Sequence, residues 1–346
     1  MMASELSNRQ KLILELVVRE FVASATPVGS RSLSESYNLE VSPATVRNEM
    51  ARLEELGYLT HPHTSAGRMP TDRGYRYFVE QLMGEAQLPL AERRTIQHQF
   101  HQVRREMEQW TKLAAAVLAH AARSAALVTA PRMAESRFKH MELIHVHSFT
   151  ALLVLVTQAG VIQQETLTLT HSLSQASLSH TAQLLSESFH GLTAGEIDAL
   201  IPELAPFEAQ VSEVVRDILH WLNERAGHEV YRSGAGHVLS QPEFATGDLA
   251  RQFLEFFERG VNLDQADWGV PSVDSGDVRV IIGTEGLWQE LFDLSLILGQ
   301  YGVSGAATGM LGVLGPTRMS YERAISAVRY VSELLSDLVC EWYGFN

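Results

Sequence analysis

The feature that most constrains this chain is the stretch Ser42–Phe78, "SPATVRNEMARLEELGYLTHPHTSAGRMPTDRGYRYF". Ser42-Pro43 is a helix start, with a hydroxyl to cap the free backbone N–H groups and a proline preset for the first turn. The helix is expected to run to Leu56, with Gly57 just past its end. At about 100° per residue, Val46, Met50, Leu53 and Leu56 share one arc. Ala44, Arg47, Asn48 and Ala51 fall opposite, with Thr45 and Arg52 on the flank. Small residues on that face permit close approach to a surface. Arg and Asn are the side chains that pair bidentately with guanine and adenine edges in a major groove.

Two helices are expected before it. "LSNRQKLILELVVREFVASATPVGS" has Ser7 as a cap and Leu12, Leu16 and Phe21 recurring with Ile13 and Val17 on a broad stripe, until Pro27 ends it. "GSRSLSESYNL" supplies a short second helix with Leu33 and Tyr37 facing inward. Behind the third helix, "YLTHPH" reads as a short strand and "TSAGRMPTDRG" as a turn-rich loop, before apolar periodicity resumes at "YRYFVEQL". Three helices and a strand–loop–strand hairpin spell a winged helix-turn-helix over residues 1–80. Ser42, Thr45, Arg47, Asn48 and Arg52 are its expected DNA-facing residues. Arg68 is expected at the wing tip, with Arg73 and Arg76 as contacts to the DNA backbone.

Charge is compatible with this reading only because it is uneven. The chain of 346 residues carries a formal net charge of −14. Residues 1–80 hold nine Lys/Arg against ten Asp/Glu, net −1; residues 81–346 hold eighteen against thirty-one, net −13. A near-neutral head can segregate its cations onto one face, whereas the acidic remainder repels DNA. Only Lys11, Lys112 and Lys139 are lysines, so arginine, the better bidentate donor, supplies nearly all positive charge. The single cysteine, Cys340, excludes an internal disulfide framework and a cysteine-based zinc cluster, and is expected to be a buried small hydrophobe. "MMASELSNRQ" has no apolar signal core and no run reaches eighteen uncharged apolar residues. A cytoplasmic protein that does not engage a membrane is expected.

The remainder reads as α+β. Residues 79–100 are polar and interrupted by Pro89, as in a linker, and "MEQWTKLAAAVLAHAARSAAL" is a helix with Leu113, Val117 and Ala121 apolar. "FKHMELIHVHS" alternates, placing Met141, Leu143 and His145 on one face; "ALLVLVTQAG" and "VIQQETLTL" form an antiparallel pair. Helical segments over roughly 172–227 then interrupt the strands. Strand character returns at "DVRVIIGTEG" and again within "LSLILGQYGVSGAATGMLGVLGP", before a closing helix from about Tyr321.

No catalytic constellation emerges. The glycine run near the C-terminus lacks the lysine and spacing of a P-loop, and tight strand packing accounts for it better than a ligand pocket. His98 with His101, His145 with His147, and His61 with His63 form no metal-ligand pattern. No nucleophile elbow surrounds any serine. The chain is expected to be no enzyme and to use no cofactor or metal. A ligand-gated sensor and a pure protein-interaction module are the rival classes, and neither accounts for the exposed Arg/Asn face.

The stretches "LSNRQKLILELVVREFVASATPVGSRSL", "SPATVRNEMARLEELGYLTHPHTSAGRMPTDRGYRYFV", "VRVIIGTEG" and "LGVLGPTRMSYERAISAVRYVSELLSDL" resemble the bacterial heat-inducible transcription repressor HrcA family. The resemblance implies an α+β multidomain protein: a winged helix-turn-helix at 1–80, a linker or hinge helix at 81–103, and a discontinuous GAF-like α/β domain at 104–172 and 235–342. A helical dimerisation domain is implied as an insert at 173–234. It also implies a homodimer on an inverted-repeat operator in double-stranded DNA, repression of chaperone genes that is lost on heat stress, and a GroEL-type chaperonin as partner.

Overall fold

The computed structural model describes residues 6–37, 39, 41–62, 67–84, 87–103, 106–133, 135–225, 229–245, 247–259, 277–285, 293–303 and 306–344. The chain divides into two compact units, one of residues 1–130, 230–301 and 309–338, the other of 131–229, 302–308 and 339–346.

The first unit begins with helices α1 (Asn8–Ser24), α2 (Ser30–Ser36) and α3 (Pro43–Glu55). Ser7 caps α1 in a reciprocal box with Gln10. The helix stops earlier than Pro27 demands, because Ala25 adopts a left-handed conformation. Ile13, Leu14, Val17 and Val18 of α1 are buried, as are Leu33 of α2 and Val46, Met50 and Leu53 of α3. Each such side chain contributes about 1.5–3 kcal/mol on burial. Two positions expected inward face out: Leu12 and Tyr37 are exposed, and the Tyr37 hydroxyl donates to Glu20 instead. Strands β1 (Leu59–Thr60) and β2 (Met69–Pro70) pair antiparallel, Leu59 opposite Pro70 and Thr60 opposite Met69. The expected return strand is therefore two residues long. It gives way at Thr71, which caps α4 (Asp72–Tyr77), so Arg73 and Arg76 lie on a helix. A π-helical turn, Phe78–Leu82, follows. The loop 63–66, with His63, lies outside the described residues.

Beyond Pro89 come α5 (Leu90–Gln102) and α6 (Met107–Ala122), then strand β3 (Ala125–Thr129). The second unit opens with β4 (Arg132–Met133). Strands β5 (Phe138–His147), β6 (Thr150–Thr157) and β7 (Ile162–Thr168) form a three-stranded antiparallel meander, as their alternation predicts. Helices α7 (Gln175–Phe189), α8 (Ala194–Asp198) and α9 (Pro206–Arg225) follow. Met141 and Leu143 of β5, Leu153 and Leu155 of β6 and Leu167 of β7 share one buried cluster with Leu178, Leu185, Val211, Val215 and Leu219. His145 lies on the same face, opposite the buried Ala151, but is itself exposed at the edge of the cluster.

A boundary at residue 172 falls inside the second unit, and strands 138–168, expected to belong with the flanking domain, close their core on the helices that follow. The physical reason is that one face of the meander is apolar and α7 to α9 are the elements that cover it.

The chain then returns to the first unit through β8 (Val230–Ser233), α10 (Ala235–Leu239), α11 (Gly247–Arg259) and β9 (Val278–Ile282). Strands β10 (Leu294–Val303) and β11 (Ala307–Pro316) precede α12 (Tyr321–Tyr343). The sheet order is β8-β3-β11-β10-β9, antiparallel at the β3–β8, β3–β11 and β9–β10 pairings, while β4 pairs with Ala307 and Thr308. Leu294, Leu296 and Leu298 point to one side, against Phe253 and Phe257 of α11. The alternate positions face α6 and α12: Ser295 hydrogen-bonds Tyr321 at 2.8 Å, and the Tyr301 ring meets Trp110 edge-on. Gly309 packs under Tyr301, which accounts for a glycine in that run by strand packing. The turn at 304–305 lies outside the described residues. Cys340 is half-buried rather than buried.

Candidate nucleic-acid interface

The local sequence builds the α3 face. The Ser42 hydroxyl accepts from the Thr45 N–H at 3.2 Å, Pro43 occupies the first turn, and the C-terminus closes with Gly57 N–H donating to Glu54 O and Tyr58 N–H to Leu53 O. With Val46, Met50 and Leu53 buried, Ser42, Ala44, Arg47, Asn48 and Arg52 are exposed and Thr45 is half-buried.

The electrostatics of this helix depend on its acids. Glu49 accepts from Gln10 at 3.2 Å and pairs with Arg9 at 3.7 Å, which draws it towards α1. Glu54 pairs with Arg68 at 2.7 Å and contacts His61. Glu55 pairs with Arg52 at 2.6 Å. All three α3 carboxylates are thus matched. Arg47 and Asn48 make no side-chain hydrogen bond or ion pair among the described residues. The residual charge on the face is positive and sits at Arg47. The sequence reading missed Glu49 and Glu54, because their partners Arg9, Gln10 and Arg68 lie outside the helix and are brought to it only by the fold.

The other three arginines are placed differently. Arg68 lies on the loop side of the β1–β2 pairing, its backbone bridged to Val28 and its guanidinium half-buried on Glu54. Arg73 lies over the Tyr58 ring and donates to the Leu56 carbonyl. Arg76 donates to Glu285 at 2.8 Å from Nε and to the Val280 carbonyl at 2.8 Å. The Glu285 hydrogen bond raises the Arg76 pKa against the opposing effect of burial. The structure therefore brings Ser42, Thr45, Arg47, Asn48 and Arg52 together on one surface, and holds Arg68, Arg73 and Arg76 on partners within the protein. Among the described residues no group of three His, Cys, Asp or Glu side chains could hold a metal ion, and no helix is long and apolar enough to cross a membrane.

The family model for the HrcA protein C terminal domain matches residues 108–325. A heat-inducible transcription repressor HrcA of Roseiflexus castenholzii is 45% identical, the match covering 100% of this chain and 98% of that one. Its counterpart in Roseiflexus sp. is 46% identical with the same coverage. A crystal structure of a hypothetical protein shares the fold, with TM-score 0.60 at 22% identity over 98% of this chain and 100% of the other. These relatives place the chain among transcription repressors, not enzymes. It belongs to the heat-inducible transcription repressor HrcA family.

Proposed function

We propose that this chain represses transcription by laying α3 in a DNA major groove. Arg47 and Asn48 read base edges, Ser42 and Thr45 sit at the helix entrance, and Arg52 exchanges Glu55 for phosphate. The observation that carries this reading is the pairing of Glu49 and Glu54 away from an exposed Arg47–Asn48 face, with Glu55 matched by Arg52. In this reading α1 to α4 with the β1–β2 hairpin are a winged helix-turn-helix. The sheet-bearing remainder of the first unit is the GAF-like part, and residues 131–229 hold the inserted dimerising element. Arg68, Arg73 and Arg76 serve by bracing the hairpin and the root of the head, and reach DNA phosphate only by releasing their present partners.

Two heads in a homodimer match the two-fold symmetry of an inverted-repeat operator. Linking them raises effective concentration, which offsets the repulsion between an acidic body and DNA. Chaperone operons as targets, release on heat stress, a cytoplasmic location and a GroEL-type chaperonin as partner follow from the family resemblance. Heat release is assigned to opening of a marginally stable dimer or body. Selection from a random duplex pool, with the mass of the bound complex recorded, tests the proposal. An enriched inverted repeat bound by two chains supports it; a folded protein that enriches no sequence, alone or with chaperonin added, overturns it.

A further inference from the structure

Helix α4 is held by one turn of the body. The Asp72 carboxylate accepts from the Thr284 backbone N–H at 3.0 Å and from its hydroxyl at 2.8 Å. Arg76, one helical turn later, meets Glu285 through two guanidinium nitrogens and donates to the Val280 carbonyl. Glu285 is itself oriented by the Ile282 N–H at 3.0 Å. Gly283 has a positive φ of 48°, and a Cβ there would lie 2.5 Å from the Asp72 carboxylate, so the turn is shaped to admit it. Two opposite charges spaced i, i+4 on α4 thus engage consecutive residues, Thr284 and Glu285, as a two-point grip. Beside it the Tyr75 ring lies 5.7 Å from Tyr321, and Arg19 pairs with Glu322 at 3.0 Å.

The grip leaves the α3 face open, since Arg47, Asn48 and Arg52 are exposed while it is closed. It is also continuous with the hairpin: Thr71, the α4 cap, donates to Gly57 O, and Gly74 packs against the Tyr58 carbonyl. A contiguous path of hydrogen bonds and packing therefore runs from the body turn through α4 to the end of α3.

We infer that Asp72, Arg76, Thr284 and Glu285 are positioning residues that fix the α3 face relative to the body, and so set the half-site spacing the repressor accepts. This rests on the reading of two heads on one inverted repeat. With the grip closed, each head has one orientation. With it open, a head swivels, reaches half-sites at other spacings, and loses the avidity that a matched spacing confers.

The test uses the full-length protein and fluorescein-labelled duplexes carrying the inverted repeat that it selects from a random pool. The spacer between half-sites is kept, or changed by two base pairs, which rotates one half-site by roughly 70°. Wild type is expected to prefer the selected spacing by at least about a hundredfold. Thr284→Ala and Glu285→Gln are expected to cut that preference at least about tenfold, with affinity for a duplex bearing a single half-site unchanged. Thr284→Ser, which keeps the hydroxyl, restores it. Unfolding midpoints report whether each variant is folded, and the second variant stands in for the first if one fails. Folded variants with undiminished spacing preference overturn the inference, as does an equal loss on the single half-site. Failure of wild type to select any repeat overturns the two-headed reading instead, so the two failures are distinguishable.

Discussion

The guanidinium of Arg73 lies 4.5 Å from the ring centroid of Tyr58 while its Nη1 donates to the Leu56 carbonyl at 2.9 Å. One side chain thereby ties the end of α3 to the root of the hairpin. The Tyr58 ring is held from another direction by Tyr77, edge-on at 5.3 Å. Replacing Arg73 by Ala is expected to destabilise the protein by about 1–2 kcal/mol, from the lost cation–π contact and hydrogen bond. Urea unfolding measures this. At a temperature where the variant is folded, operator affinity should fall less than it does for Arg47→Ala.

Arg47→Ala should act on recognition. Loss of a bidentate contact to a base is expected to cost about 1–3 kcal/mol on the selected operator and much less on random duplex. Fluorescence titration of both duplexes decides it. Equal weakening on the two would make Arg47 a phosphate contact and leave base reading to Asn48.

Gly74 admits no side chain, because a Cβ there would overlap the Tyr58 carbonyl oxygen. Gly74→Ala should push α4 from the hairpin at a cost of about 1–3 kcal/mol. The loss would appear as a lower unfolding midpoint with α3 helicity retained in the folded state.

Ser42 is the cap of α3 and lies on the proposed DNA-facing surface. Ser42→Ala is expected to cost about 1 kcal/mol, and Ser42→Gly only a few tenths. If Ser42 acts through the cap alone, operator affinity across Ala, Gly and Asn variants will follow their stability order; a break from that order would show direct contact.

In the second unit, the Thr193 backbone N–H donates to Glu196 at 2.8 Å, and this bond with the Thr193 hydroxyl holds the Glu196 carboxyl below its ordinary pKa. A depressed folded pKa means the contribution is complete above the unfolded value, roughly 4.3 for glutamate. It is lost as pH falls through the folded value. The gap in unfolding midpoint between wild type and Glu196→Gln should be largest near neutral pH and close in acid; a gap that widens in acid would reverse the assignment.

Local chemistry made much of the head legible. Ser42-Pro43 and Gly57 marked both ends of α3, and the spacing of Val46, Met50 and Leu53 named its buried side. These are decisions taken within a few residues, by capping, backbone preference and periodicity. Alternation likewise located β5 to β7. The ends of α1 and β2 were harder to place, because a left-handed alanine and the start of a helix outweighed simple proline and strand signals.

Sequence by itself thus determined the α3 face, the uneven charge and the family. Tertiary structure decided which partners hold the other arginines and where the second unit begins. Arg68, Arg73 and Arg76 look alike in sequence, but they are held by Glu54, Tyr58 and Glu285, and Glu285 is brought to Arg76 only when β9 is placed beside α4. The apolar face of β5 to β7 could have closed on any apolar surface; α7 to α9 covered it. Periodicity states that a face must be buried, and only the folded chain states against what.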